Sequence, residues 1–255
     1  MQRIEALLSP AELHSLKARN LQGSVCVVFD VLRATSTMLA ALHSGAAAVD
    51  AVGGIPEAID LRAADPGCLL AGERDGRRIR AAQTGGTDFD LGNSPREFTP
   101  ERVRGRRIVM TTTNGTRALQ ACTAAETVLA ASFGNLRATA RWLETRDPGH
   151  LLLVGSGTQD HAALEDVLAV GALADAVWSR ASTGWVDDAV RIARHLYRDH
   201  RGDLLRTVSE GRNGHRLLQW PDLADDVSWC LEADRFDFVA RRQPDGSFRA
   251  ERAGH

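Results

Sequence analysis

Of the 31 lysines and arginines in this 255-residue sequence, Lys17 is the only lysine. A P-loop needs a lysine inside its glycine loop, and Schiff-base chemistry needs one placed in a cleft. Lys17 sits in the polar stretch from Leu13 to Asn20, outside any glycine loop, which excludes a Walker-type nucleotide site. Any phosphate charge must be met by arginines, backbone amides or a metal. Arginine is so abundant that only arginines inside motifs are informative. Cysteine is scarce as well: Cys26, Cys68, Cys122 and Cys230 are widely spaced, with no CxxC pair. That spacing argues against a zinc ribbon or a disulfide framework and fits reduced thiols in the cytoplasm. No apolar run approaches the ~20 residues that span a bilayer, and no basic segment leads into an apolar one at the start. Neither export nor a membrane anchor is expected. The zinc-hydrolase HExxH pair and the serine-hydrolase GxSxG elbow are both missing. A formal charge of -2 and a pI near 6.4 give no broad attraction to nucleic acid or an anionic membrane surface, so the expected partners are small molecules.

What the chain does have is a 44% hydrophobic content arranged in short runs. Ser24 to Phe29, Ala47 to Val52, Cys68 to Ala71, Arg107 to Thr111, Thr127 to Ala131 and Leu151 to Val154 read as buried strands. Between them Ser36 to Ser44, Pro56 to Ala64, Gly115 to Ala124 and Leu136 to Thr145 have the length and apolar spacing of crossover helices. The expectation is an α/β fold in three layers, with a largely parallel or mixed sheet. From Ala162 to about Leu231 the pattern turns helical, and a hairpin is expected over Phe236 to Ala250 around Pro244-Asp245-Gly246. A single domain is expected, with a second lobe beginning near Thr183 as the alternative; a homo-oligomer is left open.

In open α/β sheets ligands bind at the loops after the carboxyl ends of strands. The first apolar run ends in Asp30-Val31-Leu32-Arg33-Ala34-Thr35-Ser36-Thr37. A helix start there offers free amides, Arg33 a bidentate fork, and Asp30 a metal ligand or nucleophile. Helix capping is the plainer role for Thr35 or Ser36, but it leaves Asp30 and Arg33 unexplained. Gly72-Glu73-Arg74-Asp75-Gly76 pairs a candidate metal ligand, Glu73, with a candidate second anion clamp, Arg74; a solvated hairpin turn is the alternative. Asp90-Leu91-Gly92-Asn93-Ser94-Pro95 offers Asn93 and Ser94 as donors, or simply a helix start with Ser94 as its cap. Thr111-Thr112-Thr113-Asn114-Gly115-Thr116 forms a candidate oxyanion cradle where a strand meets a helix. Gly155-Ser156-Gly157-Thr158 permits close backbone approach, and Leu164-Glu165-Asp166 follows. Glu165 and Asp166 point about 100° apart on a helix, so at most one is expected to face a cleft squarely. His161 is the nearest histidine to these loops; a surface position is favoured over an acid-base role.

These five motifs, in this order and over most of the chain, resemble the 2-phosphosulfolactate phosphatase family, and Ser209 to Cys230 resembles its C-terminal region. The resemblance implies a magnesium-dependent phosphatase that converts 2-phospho-3-sulfolactate to 3-sulfolactate and phosphate in the coenzyme M route. On that reading Asp30, Arg33, Glu73 and Arg74 are catalytic. Thr35, Ser36, Asn93, Ser94, Thr112, Thr113, Asn114, Gly115, Thr116, Gly157 and Thr158 bind substrate. Asp30, Glu73, Glu165 and Asp166 supply ligands to Mg²⁺. Attack by a metal-activated water and attack by Asp30 itself both remain open, as do another small phospho-acid substrate and a non-catalytic binding role. The chain departs from the family pattern at Asp160 and Ala163, where a glycine and a serine are usual, and in a longer stretch between Gly76 and Asp88.

Overall fold

The computed structural model describes residues 1–252 and, of Lys17, the backbone alone. Eleven strands are hydrogen-bonded into one sheet: β1 (Arg3–Leu7), β2 (Ser24–Phe29), β3 (Ala48–Ala51), β4 (Leu69–Arg74), β5 (Arg77–Arg78), β6 (Arg107–Thr111), β7 (Thr127–Ala131), β8 (His150–Gly155), β9 (Trp185–Val186), β10 (Phe238–Arg242) and β11 (Phe248–Arg252). Their order across the sheet is β5-β4-β6-β3-β11-β10-β7-β2-β8-β1-β9. Two blocks are parallel within themselves. One is β4-β6-β3, and the other is β7-β2-β8-β1-β9. The antiparallel hairpin of β10 and β11 joins them, pairing with β3 at Val49–Phe248 and with β7 at two positions. Followed across that hairpin, the pairing senses make the two blocks run in opposite directions.

The strand sequences read as unbroken apolar runs because both faces of the sheet are covered, as expected for parallel blocks. Alternation sorts the side chains. Val25, Val27, Phe29, Leu151 and Leu153 face one core with helices Leu136–Arg146, Leu164–Ala176 and Asp188–His200. Cys26, Val28, Leu152 and Val154 face the other, with helices Ala34–His43 and Gly115–Ala121. A smaller core of Ala58, Leu70, Ile79, Phe89 and Val109 lies against β4 and β6. The result is the three-layer α/β arrangement, with a helical stretch from Leu164 to Leu231 broken only by the short edge strand β9. No helix among the described residues is long and apolar enough to cross a membrane.

Three strands escaped the pattern reading. β1 carries Glu5, 7% exposed, whose carboxylate is met by Arg19 at 2.7 Å and His150 at 2.9 Å. β5 and β9 are two residues each, too short to show alternation. The expected hairpin exists, and its second strand runs past Ala250 to Arg252.

Candidate active site

Loops after the carboxyl ends of β2 and β8 in one block meet those after β4 and β6 in the other. Asp30 follows β2 directly and is 8% exposed. Its Oδ1 accepts from the Ala34 N–H at 3.0 Å, the first turn of helix Ala34–His43. Gly115, which opens helix Gly115–Ala121, lies so close that an added Cβ would stand 2.5 Å from Asp30 Oδ2 and 2.5 Å from the Ala34 Cβ. Only a residue without a side chain lets the two helix starts close around that carboxylate.

Glu73, near the end of β4, is also buried. Its Oε1 accepts from the Thr113 N–H at 2.7 Å and its Oε2 from the Gly76 N–H at 2.6 Å. The β4–β5 turn is a hairpin turn, the alternative given for Gly72 to Gly76, with φ of 54° at Asp75 and 79° at Gly76. Here the turn and the functional reading coincide, because the turn amide is what fixes Glu73.

From helix Leu164–Ala176, Glu165 and Asp166 both point inward, at 1% and 2% exposure. They do different work. Asp166 Oδ1 accepts from the Val31 N–H at 2.8 Å, and its Oδ2 accepts from the Ser156 hydroxyl and the Gly157 N–H, both at 3.0 Å. It locks the loops after β2 and β8 together. Glu165 Oε1 accepts from Asn213 Nδ2 at 2.6 Å, while its buried Oε2 has no partner among the described residues.

So many buried carboxylates disfavour their own ionisation. Burial pushes the Asp30 carboxyl up to about 6, with the neighbouring Glu73 adding to the rise against the Ala34 amide. Burial likewise raises Glu165, with Asp30 contributing, and it raises Asp166 well above the usual range, with Glu165 and Asp30 contributing. Removing this mutual repulsion takes a proton or a cation. The donors are all hard carboxylate oxygens, and Glu165 Oε2 has no hydrogen-bond partner among the described residues, a set that fits a hard cation such as Mg²⁺. Among the described residues no preassembled cage of three or more such ligands exists.

Several expected binding residues turn out to be spent on the loops themselves. The Thr35 hydroxyl donates to the Asp30 carbonyl at 2.9 Å and accepts from the Asp30 N–H; the Ser36 hydroxyl donates to the Val31 carbonyl at 2.8 Å. Both are fully buried, so they shape the Asp30 loop and are not free to meet a ligand. Thr112 and Thr116 close a ring, each side-chain oxygen accepting from the other's N–H at 3.2 Å. The Ser94 hydroxyl donates to Asp226 Oδ1 at 2.7 Å. Gly157 is packed under the Asp166 carboxylate. By contrast Asn93, Thr113, Asn114 and Thr158 do line the cleft with Asp30 and Glu73. The buried Asn93 Oδ1 and Thr113 Oγ1 have no partner among the described residues.

Arg33 and Arg74 also differ from expectation. Arg33 lines the cleft, but Nη1 is paired with Asp226 at 2.7 Å and Nη2 donates to the Gly76 carbonyl at 2.8 Å. Arg74 follows Glu73 on a strand, so alternation turns it to the opposite face. There it donates to Thr111 Oγ1 at 3.1 Å and borders a separate groove with Ile55, Pro56 and Gln83. Arg74 is therefore not a clamp beside Asp30. His161 is exposed and outside the cleft, as is Asp160.

Sequence reasoning missed Asp226, Asn213, Arg216 and Gln159. Asp226 collects Arg33, Ser94 and Arg96, Asn213 bridges Thr158 and Glu165, and Gln159 and Arg216 line the cleft. Three of the four lie in the helical C-terminal stretch, within the Ser209 to Cys230 segment that resembles the family but singled out no residue; the Asp225-Asp226 pair opening an apolar helix was a further signal.

Buried carboxylates gathered where loops leave the carboxyl ends of strands in an α/β sheet mark an enzyme-type site. The sequence profile described as 2-phosphosulpholactate phosphatase matches residues 9–244. Proteins named "Probable 2-phosphosulfolactate phosphatase" are similar throughout. One from Synechococcus sp. (strain CC9605) is 37% identical over 248 residues, covering 94% of this chain and 96% of its own. One from Cyanothece sp. is 36% identical over 226 residues, covering 86% and 89%. One from Caldanaerobacter subterraneus is 35% identical over 230 residues, covering 89% and 91%. The chain belongs to the 2-phosphosulpholactate phosphatase family, which places it among the phosphoric monoester hydrolases.

Proposed function

We propose that this chain hydrolyses 2-phospho-3-sulfolactate to 3-sulfolactate and phosphate, with Mg²⁺ as its cofactor and the cytoplasm as its place of work. The substrate follows the names of its relatives. The observation that carries the site assignment is the crowding of buried Glu73 and Glu165 around Asp30, with the Asp30 carboxyl raised to about 6 and Glu165 Oε2 left without a partner among the described residues. Asp30, with one of Glu73 and Glu165 beside it, would hold the cation; when bound, it would neutralise charge on the phosphoryl oxygens.

The chain's own groups then do the positioning. Asn93, Thr113, Asn114 and Thr158 form the cleft wall beside Asp30 and Glu73. Asp166 and Glu73 keep the loops rigid, so those groups are set before substrate arrives, which is what electrostatic stabilisation requires. Arg33, tied to Asp226, contributes a fixed positive field to the cleft while leaving no terminal nitrogen unengaged.

The test is phosphate release by purified protein from 2-phospho-3-sulfolactate, 2-phospholactate and 2-phosphoglycerate, with Mg²⁺ or with chelator. The expected result is release that needs Mg²⁺ and is fastest with the sulfonated ester. Faster release from another ester would reassign the substrate, and none from any would remove hydrolysis.

A further inference from the structure

The cleft is short of available positive charge. Arg33 is committed to Asp226 and the Gly76 carbonyl, and Arg74 faces the other way. A third arginine, Arg216 of helix Arg212–Leu218, lines the same cleft as Asp30 and Glu73. Among the described residues no carboxylate lies within ion-pair distance of its guanidinium.

Its place is set by an aromatic wedge. The Arg216 guanidinium carbon is 5.7 Å from the centroid of the Trp220 ring, and Arg77 covers the same ring at 4.2 Å. Trp220 in turn rests on the β4–β5 turn. A Cβ added to Gly76 would stand 2.7 Å from the ring and 3.9 Å from an Arg216 terminal nitrogen. Gly76 thus admits the ring, and the ring holds the guanidinium beside the turn that fixes Glu73. Stacking on an aromatic face leaves the edge of the guanidinium, where its donors lie, open for a planar or trigonal anion.

Burial gives the direction. Of the residues lining the cleft, Asp30 and Glu73 are buried and Arg216 is exposed. A phosphoryl group at the Asp30 end, where the proposed cation would draw it, leaves the remainder of the ester pointing toward Arg216. We propose that Arg216 is the substrate-binding residue for the acid group of the ester, its carboxylate or sulfonate, and so selects phosphorylated acids over neutral phosphate esters. This rests on the proposed reaction for its orientation.

The test compares wild type, Arg216→Gln and Arg216→Lys in two assays. In turnover with Mg²⁺, the Gln variant should raise KM for 2-phospho-3-sulfolactate about 10- to 100-fold, the loss expected for a charged hydrogen bond, with little change in kcat. KM for isopropyl phosphate, which has no acid group, should stay within about twofold, and the Lys variant should recover part of the loss. Equal losses on both esters, or none on either, would overturn the proposal. Calorimetric binding of 3-sulfolactate decides it even if no ester is hydrolysed. Weaker binding by the Gln variant supports the proposal; equal binding, or none by wild type, contradicts it.

Discussion

At the scale of single residues, the site is governed by the cost of burying charge. Asp30 shows it most directly. Its ordinary value is 3.8, and burial with Glu73 nearby lifts it to about 6. A carboxyl held above its unfolded value binds its proton more tightly when folded. The cost of ionising it is therefore absent below about pH 4, grows as pH rises, and is complete above about pH 6. Asp30→Asn keeps the acceptor for the Ala34 amide and removes the charge. Without divalent cation, the variant should be more stable than wild type at pH 7 by up to about 3 kcal/mol, from ~1.36 kcal/mol per unit. The advantage should vanish near pH 4 and reverse with added Mg²⁺. Thermal unfolding across pH checks this; a difference that does not vary with pH would refute it. The residue types were legible as chemistry before the structure. Their partners were not, because Thr35, Ser36 and Ser94 have hydroxyls that serve equally for a ligand or a loop, and only the fold chooses.

At the scale of elements, carboxylates tie loops and helices that lie far apart in sequence. Asp226 of helix Asp225–Leu231 is fully buried and holds Arg33 from the loop after β2, Arg96, and the Ser94 hydroxyl. Asp226→Asn would leave Arg33, 3% exposed, without its counter-charge. Breaking such a pair from one side costs about 3–5 kcal/mol. Urea unfolding of the metal-free protein should show that loss; a change below about 1 kcal/mol would mean that Arg33 has another outlet. The six apolar runs and the four helices between them were readable because burial on both faces writes itself as composition, but only Ile55–Ala64 and Leu136–Arg146 are crossovers between parallel strands, while the other two pass between oppositely directed blocks. β1 was hidden by Glu5, which is tolerated because Arg3, Arg19 and His150 reach it. Alternation along β4 could have warned that Glu73 and Arg74 cannot share one cleft.

At the scale of the whole molecule, the topology turns five separate motifs into one site. The chain passes between the two parallel blocks through helices Ala34–His43 and Gly115–Ala121, whose first turns meet at Asp30 and Gly115. The C-terminal hairpin joins the blocks in the sheet, while Asp226, Asn213 and Arg216 reach the cleft from the helical stretch before it. Alternating strands and helices made the fold class legible. The pairing of a late hairpin between early strands was not, since no local pattern encodes a contact such as Val49 with Phe248. The account's central claim is that Asp30, inside this carboxylate cleft, is essential to a magnesium-dependent phosphatase. The direct test is the turnover of 2-phospho-3-sulfolactate at saturating Mg²⁺ by folded Asp30→Asn against wild type. The account predicts a loss of about a thousandfold or more; turnover within a few-fold of wild type would contradict it.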